Sequence, residues 1–319
     1  MKKRTHNKNI SCPICSNTTI KVKKLDSPYI IDRLALHFNT QVDKNLNIVD
    51  YELLKCTECS FEFSYPQIAG SGAFYNWITS QTGYYPKIRW EFSKVLDLLA
   101  NEKKGVKLLD VGCGDGQFFD QIVKKKNTKI DFYGLDPTIG SIEMCIDKGY
   151  KVYCMDIKEF KINNKNTLFD AVTLYHVLEH IANPKEFIEE LLSLLNPNGS
   201  IYISTPYSPM DFELDWFDVL NHPPHHFGRW NLKSYKKLAE VLGLKIEVFM
   251  PLPGKLLVSA IQSFMFSIYG NLGKGEKKTI IKSIIKTPFK FLTHLWKQSQ
   301  RDKIMGKRAA NVILAKFTK

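Results

Sequence analysis

No stretch of this 319-residue chain approaches the ~20 consecutive apolar residues of a bilayer-spanning helix, which argues against a helical membrane protein. The charged, polar N-terminus lacks an apolar signal core, so a cytoplasmic protein is the expectation. Cysteine is scarce. Of the seven, four fall into two close pairs and three scatter, which does not suit a disulfide-stapled secreted domain. Acids are also in short supply, at 32 against 45 Lys and Arg, for a net charge of +13. The length suits one large domain plus a smaller module.

The basic excess sits on the flanks. Lys2, Lys3, Arg4 and Lys8 crowd the start, and the stretch from Lys274 to Arg308 carries eleven Lys or Arg against Glu276 and Asp302. The remaining chain is close to balanced.

The segment Leu108-Leu109-Asp110-Val111-Gly112-Cys113-Gly114-Asp115-Gly116 reads as a buried strand running into a glycine loop. Glycine permits the tight turn and lets backbone approach a ligand closely. A helix expected from about Gln117 to Lys126 aims its N-terminus at the same point. Twenty positions after Gly116, Asp136 ends a second strand-like run, Ile130 to Leu135, at a distance that suits a carboxylate holding ribose hydroxyls. The third glycine comes one residue earlier than in the dinucleotide fingerprint, and no Lys or Arg occupies the opening turn of the helix. Asp110, Asp115, Asp136 and Asp156 would repel a polyphosphate but accept a cationic sulfonium.

At these residues the chain resembles the class I S-adenosylmethionine-dependent methyltransferases. Val152-Tyr153-Cys154-Met155-Asp156 is similar to the family's third strand, and Phe169 to Leu174 to its fourth. The fourth runs into Tyr175-His176-Val177-Leu178-Glu179-His180, similar to the His-x-x-Glu-His loop of one subgroup. Asn196 to Ile203 resembles the turn and fifth strand, and the likeness covers roughly residues 84 to 250 plus the final strand. It implies an α/β, doubly wound, Rossmann-like sheet of seven strands with the last, about Ala309 to Phe317, antiparallel. It implies S-adenosylmethionine as cofactor, held by Asp110, Gly112, Cys113, Gly114 and Gly116 in the loop. Asp136, Pro137, Asp156, Ile157 and Tyr175 complete that set, with Asp156 against the adenine.

Residues 1–75 read as a zinc-ribbon-like module ahead of a methyltransferase domain at 76–319. Cys12-Pro13-Ile14-Cys15 and Cys56-Thr57-Glu58-Cys59 are matched Cys-x-x-Cys pairs, and four thiolates fill a tetrahedral Zn²⁺ site with no open position. The expected role is therefore structural. Between the pairs, Tyr29 to Phe38 has helical apolar spacing, and Phe61, Phe63 and Tyr65 alternate as in a hairpin.

A helical basic insertion is expected at about 251–308. Leu256 to Tyr269 is nearly all apolar. Farther on, Ile280, Ile281, Ile284, Ile285, Phe289, Leu292, Leu295 and Trp296 recur at helical spacing among Lys278, Lys282, Lys286, Lys290 and Lys297, with Pro288 set to kink or divide the helix. Such a stripe suits packing on the core or a second subunit, peripheral contact of 277–303 with the inner face of an anionic membrane, or RNA.

For the acceptor, transfer to a hydroxyl needs a base, and histidine serves near neutral pH. His176 flanks Glu179 beside the expected methyl position. The acceptor loop, about 205–230, holds His222, His225 and His226 among prolines and aromatics. His225 or His226 is the expected base, with His176 close to cofactor and acceptor, and His180 is expected to be structural. Pro224-His225-His226 resembles methyltransferases found with sugar and cell-surface polysaccharide genes, many with a four-cysteine module. The resemblance implies O-methylation of a sugar or glycan intermediate, lipid-linked in one version. Rival readings are an RNA base methyltransferase, a quinone-type O-methyltransferase and a non-catalytic cofactor-binding scaffold. Against RNA, no Asn/Asp-Pro-Pro-aromatic motif follows the fourth strand, so a nucleic-acid partner is not expected. Quinone-type relatives carry Glu-x-x-Glu-His here, which can hold a divalent metal, and this chain has His176 in the first Glu position.

Overall fold

The computed structural model describes residues 6–7, 10–68, 70–81, 89–100, 102, 104–125, 129–164, 167–210, 213, 217–251, 256–269, 277–304 and 311–319. The N-terminal part contributes β1 (His6–Asn7), β2 (Thr19–Leu25), β3 (Tyr51–Cys56) and β4 (Glu62–Tyr65), paired antiparallel in that order. Helix α1 (Ser27–Phe38) fills the long connection between the cysteine pairs, with Ile30 and Leu34 buried. Helix α2 (Gly72–Thr79) follows, capped by the Ser71 hydroxyl, which accepts from the Phe74 N–H.

The main sheet is built from β5 (Val106–Val111), β6 (Ile130–Leu135), β7 (Val152–Tyr153), β8 (Phe169–Tyr175) and β9 (Leu195–Pro206). Two late strands join it, β11 (Lys245–Phe249) and β12 (Val312–Thr318), while the two-residue β10 (Gly228–Arg229) leaves it to pair with β4. Spatial order is β11-β12-β9-β8-β5-β6-β7, parallel from β9 to β7, with β12 antiparallel to both neighbours. This is the expected doubly wound sheet with its antiparallel seventh strand. Strand β8 is buried almost end to end, as a parallel strand covered on both faces must be. Connections leave β5 toward one edge and β8 toward the other, so the switch point lies between them, where such sheets bind ligands.

Helices α3 (Trp90–Leu99), α4 (Gln117–Lys124), α5 (Ile139–Asp147), α6 (Ile157–Asn163), α7 (Pro184–Leu192) and α8 (Leu232–Val241) accompany the sheet. Asn183 gives α7 no side-chain cap, contrary to the local pattern, although Pro184 does open the helix. Strand β9 absorbs Asn196 to Gly199, expected as a turn, by shifting register opposite Phe169 and Ala171. The third strand, likened to Val152 through Asp156, narrows to Val152–Tyr153. Residues 309 and 310 of the expected final strand lie outside the described residues.

The expected boundary at 75/76 falls inside α2, because the two units share one core. Phe61 of the cysteine module packs on Trp230 at 4.6 Å between ring centroids, Trp230 on Tyr235 at 4.9 Å, and Tyr235 on Phe317 of β12 at 6.0 Å. A second cluster joins α1 and α2 to Val219 of the acceptor loop. The cysteine module thus holds that loop from one side.

Pro288 divides the late helical segment into α10 (Lys277–Lys286) and α11 (Pro288–Ile304), and α9 (Leu256–Tyr269) packs against α11. The side chains turned inward include polar ones, Ser283 at 8% exposure and Gln298 at 6%, whereas Phe289 is 82% exposed and Trp296 63%. Ile281, Ile285 and Leu292 join the exposed stripe. Among the described residues no helix is long and apolar enough to cross a membrane.

Candidate functional site

Gly112 follows β5 at φ 76°, and a Cβ there would stand 2.4 Å from Val177 Cγ2, so the loop after β8 closes down on a bare backbone. Gly114, at φ 54°, has nothing within 4 Å of where its Cβ would be, so the loop is open on that side. Gly116 caps α4 and Cys113 is buried, its N–H donating to the Leu135 carbonyl at 3.0 Å.

Asp136 shapes this loop. Its Oδ2 accepts from the Gly114 N–H at 3.0 Å and its Oδ1 from the Thr138 N–H at 2.8 Å. Asp110 spans the switch point, accepting from Thr173 Oγ1 at 2.7 Å. Burial pushes its carboxyl up to about 7, against the Thr173 bond and helped by nearby Asp136. Asp156 puts one oxygen on the Lys158 and Glu159 N–H groups and so caps α6 directly before buried Ile157. Pro137 begins the turn after β6, its carbonyl accepting from Cys154 Sγ at 3.7 Å. Tyr175 is buried edge-on to Phe92, and its hydroxyl has no hydrogen-bond partner among the described residues. An open glycine face, a carboxylate-braced loop and an orphaned buried hydroxyl fit the donor that the sequence suggests.

The acceptor loop is anchored at several points. Phe227 donates its N–H to the Glu179 carbonyl at 2.8 Å, and its own carbonyl accepts from Ser64 of β4 at 3.0 Å. Arg229 is buried between Glu62 of β4 and Glu213 of the loop, and also bonds the Asn221 carbonyl at 2.8 Å. Asn221 in turn donates to Ser208 Oγ and to Glu213.

The histidines fall into two groups. His176 sits at φ 57° just past β8, with Nε2 3.1 Å from Glu91 Oε1 and Nδ1 3.3 Å from Glu179 Oε1. Burial depresses its pKa, but the two carboxylates outweigh that and raise it above 6.5. With a carboxylate at each ring nitrogen, His176 balances buried charge and orients Glu179. Both of its ring nitrogens thus face carboxylates.

His180, His225 and His226 cluster, with one ring nitrogen of each within 4.8 Å of the others. His225 Nδ1 donates to the Leu220 carbonyl at 2.8 Å, His180 Nδ1 to the His225 carbonyl at 2.7 Å, and His226 Nδ1 to Asn221 Oδ1 at 3.2 Å. Burial, with the neighbouring His180, lowers His225 to about 3, and burial likewise holds His226 neutral. His222 stands apart, bonded to the Asp218 carbonyl and packed on Phe217.

Cys12, Cys15, Cys56 and Cys59 converge, with Cys12 Sγ 3.6 Å from Cys59 Sγ and Cys15 Sγ 3.6 Å from Cys56 Sγ. Ser16 and Ser60 take the same φ of 58° after each pair, so the two knuckles match in shape. Ligands about 2.3 Å from a tetrahedral Zn²⁺ are about 3.8 Å apart, so this donor set fits that ion.

Glu91, Glu213 and Arg229 were not singled out from the sequence. Glu91 offered one signal, an acid on the same helical stripe as buried Val95 and Leu99.

A methyltransferase-domain family model matches residues 87–247, a little over half of the 319-residue chain. Among curated proteins, the mitochondrial ubiquinone biosynthesis O-methyltransferase of Dictyostelium discoideum is 32% identical over 116 residues, covering 32% of this chain and 36% of that protein. The Arabidopsis thaliana protein of the same name is 26% identical over 200 residues, 54% of this chain and 58% of its own length. The chain thus spans between about a third and three-fifths of these relatives. A solved S-adenosylmethionine-dependent methyltransferase from Archaeoglobus fulgidus is 19% identical with a TM-score of 0.48, covering 72% of this chain and 92% of that one. By the family match the chain belongs to the methyltransferase-domain family.

Proposed function

We propose that the protein transfers a methyl group from S-adenosylmethionine to a hydroxyl of a small acceptor. The open glycine face at Gly114, braced by Asp136, is the observation that carries this reading. When bound, the donor supplies an electrophilic methyl carbon. The chain's own residues align the acceptor, exclude water and take up the hydroxyl proton. His225 or His226 would take it up through Nε2 when no ion occupies the cluster, because Nδ1 of each donates to an oxygen.

A phenolic hydroxyl is the acceptor class best supported. The two named relatives are O-methyltransferases of ubiquinone biosynthesis. Deeply buried imidazoles also accept a proton reluctantly, which suits a phenol (pKa about 10 in tyrosine) better than a less acidic sugar alcohol. The glycan reading rests on Pro224-His225-His226 and the four-cysteine module, and the two named relatives do not support it. A panel of catechols and sugars with labelled donor tests this: label on the catechols supports it, and label confined to sugars overturns it.

Two accessory readings complete the proposal. The four thiolates hold one structural Zn²⁺, which pins β2, β3 and β4 behind the acceptor loop. The stripe from Ile281 to Trp296, apolar, outward-facing and bordered by lysines, docks on an anionic lipid surface.

A further inference from the structure

We propose that His180, His225 and His226 form a second metal centre, a three-histidine site for a divalent transition-metal ion such as Zn²⁺ or Co²⁺. The inference extends the proposed O-methyltransferase reading and is argued from the geometry of the rings.

Metal-binding histidines characteristically donate one ring N–H to a carbonyl or carboxylate, which fixes the tautomer and aims the other nitrogen at the ion. All three rings do this. The acceptors are the Leu220 and His225 carbonyls and the Asn221 side-chain oxygen, none of which can donate in return. Each Nδ1 is therefore the protonated nitrogen and each Nε2 the one that offers a lone pair. One ring nitrogen of each lies within 4.8 Å of the others, a spread that an ion at about 2.0–2.1 Å from each nitrogen would draw in.

The second observation is Glu179. It is wholly buried; its Oε1 pairs with His176 Nδ1 at 3.3 Å, and its Oε2 has no hydrogen-bond partner among the described residues. Its Oε1 also lies 4.0 Å from His226 Nε2. A buried carboxylate with an unsatisfied oxygen is costly, and a cation held by three neutral rings beside it would add to the compensation that His176 gives.

The loop is also stiff where a site needs stiffness. Asn221 positions His226 and is itself fixed by Ser208, Glu213 and Arg229, while Tyr75 packs near His180 and His225. Three imidazoles suit zinc, cobalt, nickel or copper, and leave a fourth position for an oxygen ligand. With Nε2 of His225 and His226 bound to the ion, those rings no longer serve as the base; a hydroxyl at the fourth position would be acidified by the ion and pass its proton to the Glu179 carboxylate beside it.

The test is metal content of the full chain, by mass spectrometry after equilibration with Zn²⁺ and gel filtration. Two ions per chain are expected in the wild type. Cys12→Ser with Cys56→Ser should keep one, and its Co²⁺ form should show weak ligand-field absorption without intense thiolate charge transfer. His225→Ala and His226→Ala should each retain only the thiolate-bound ion, with donor binding by calorimetry reporting that they remain folded. A wild type that takes up a single ion, or histidine variants that keep two, overturns the inference. Because donor binding is read separately, a protein that binds donor but no second ion sinks this site and leaves the methyltransferase reading intact.

Discussion

Arg229 Nε lies 3.0 Å from Glu62 Oε2, and this buried pair joins the acceptor loop to the cysteine module. The same guanidinium holds Glu213 at 2.7 Å and the Asn221 carbonyl at 2.8 Å, so one side chain links β4, the loop and the residue that orients His226. The module is therefore part of the acceptor site's scaffold.

Replacing Arg229 with Met should leave buried Glu213 without the cation that Arg229 supplies and Glu62 with Lys55 alone. Breaking such a pair costs about 3–5 kcal/mol. Denaturant unfolding of Arg229→Met should show a loss of that order, with donor affinity unchanged. A loss below about 0.5 kcal/mol would mean that the link carries no load.

Asp110 gives a pH-dependent prediction. Its folded-state pKa stands at about 7 against an ordinary 3.8, so the folded protein binds this proton more tightly than the unfolded chain does. Stability from this group is present below pH 3.8 and lost as pH rises toward 7. Asp110→Asn can still accept from Thr173 and carries no charge. The variant should be more stable than wild type at pH 8 by a few kcal/mol, on the order of 4 at the full shift, and the gap should close toward pH 4. An equal gap at both pH values refutes this assignment.

The donor loop and the main sheet were legible because their signals are local: glycines at fixed offsets, apolar runs of strand length and an acid at the next strand's end. The thiolate pairs were legible for the same reason. The supporting shell was not. Glu91 meets His176 across 85 residues and Arg229 meets Glu62 across 167, and no periodicity within a segment reports such a contact. The two carboxylates at the His176 ring nitrogens were equally hidden, since one of them comes from a distant helix. Likewise the shared core through Phe61 and Trp230 joins segments far apart in the chain, which no local pattern reports.

Zinc in the cysteine module should matter for transfer more than for donor binding. Changing Cys12 and Cys56 to serine removes two ligands, frees the knuckles and loosens β4 from β10. Expected results are one Zn²⁺ fewer per chain, donor affinity within about twofold of wild type, and methyl transfer reduced at least tenfold. Unchanged transfer in the zinc-free module would show that the loop does not depend on it.

Lipid docking has a sedimentation test. Vesicles containing phosphatidylserine should pull down the protein, neutral phosphatidylcholine vesicles should not, and binding should weaken with salt. Phe289→Ser with Trp296→Ser should abolish pull-down while leaving donor binding intact, since both side chains face outward. Retention of the double variant on anionic vesicles would assign that attraction to the lysines alone. Equal pull-down by neutral vesicles would contradict the proposed charge match.

Isothermal titration with S-adenosylmethionine and its demethylated product tests the central claim most directly. The account predicts saturable binding of about one molecule per chain. Gly112→Ala should abolish it, because its Cβ would meet Val177 at 2.4 Å, and Asp136→Ala should weaken it about 10–100-fold, as loss of a charge-assisted bond of about 1.5–3 kcal/mol implies. Absence of binding heat with folded wild-type protein, or binding indifferent to both substitutions, would contradict it.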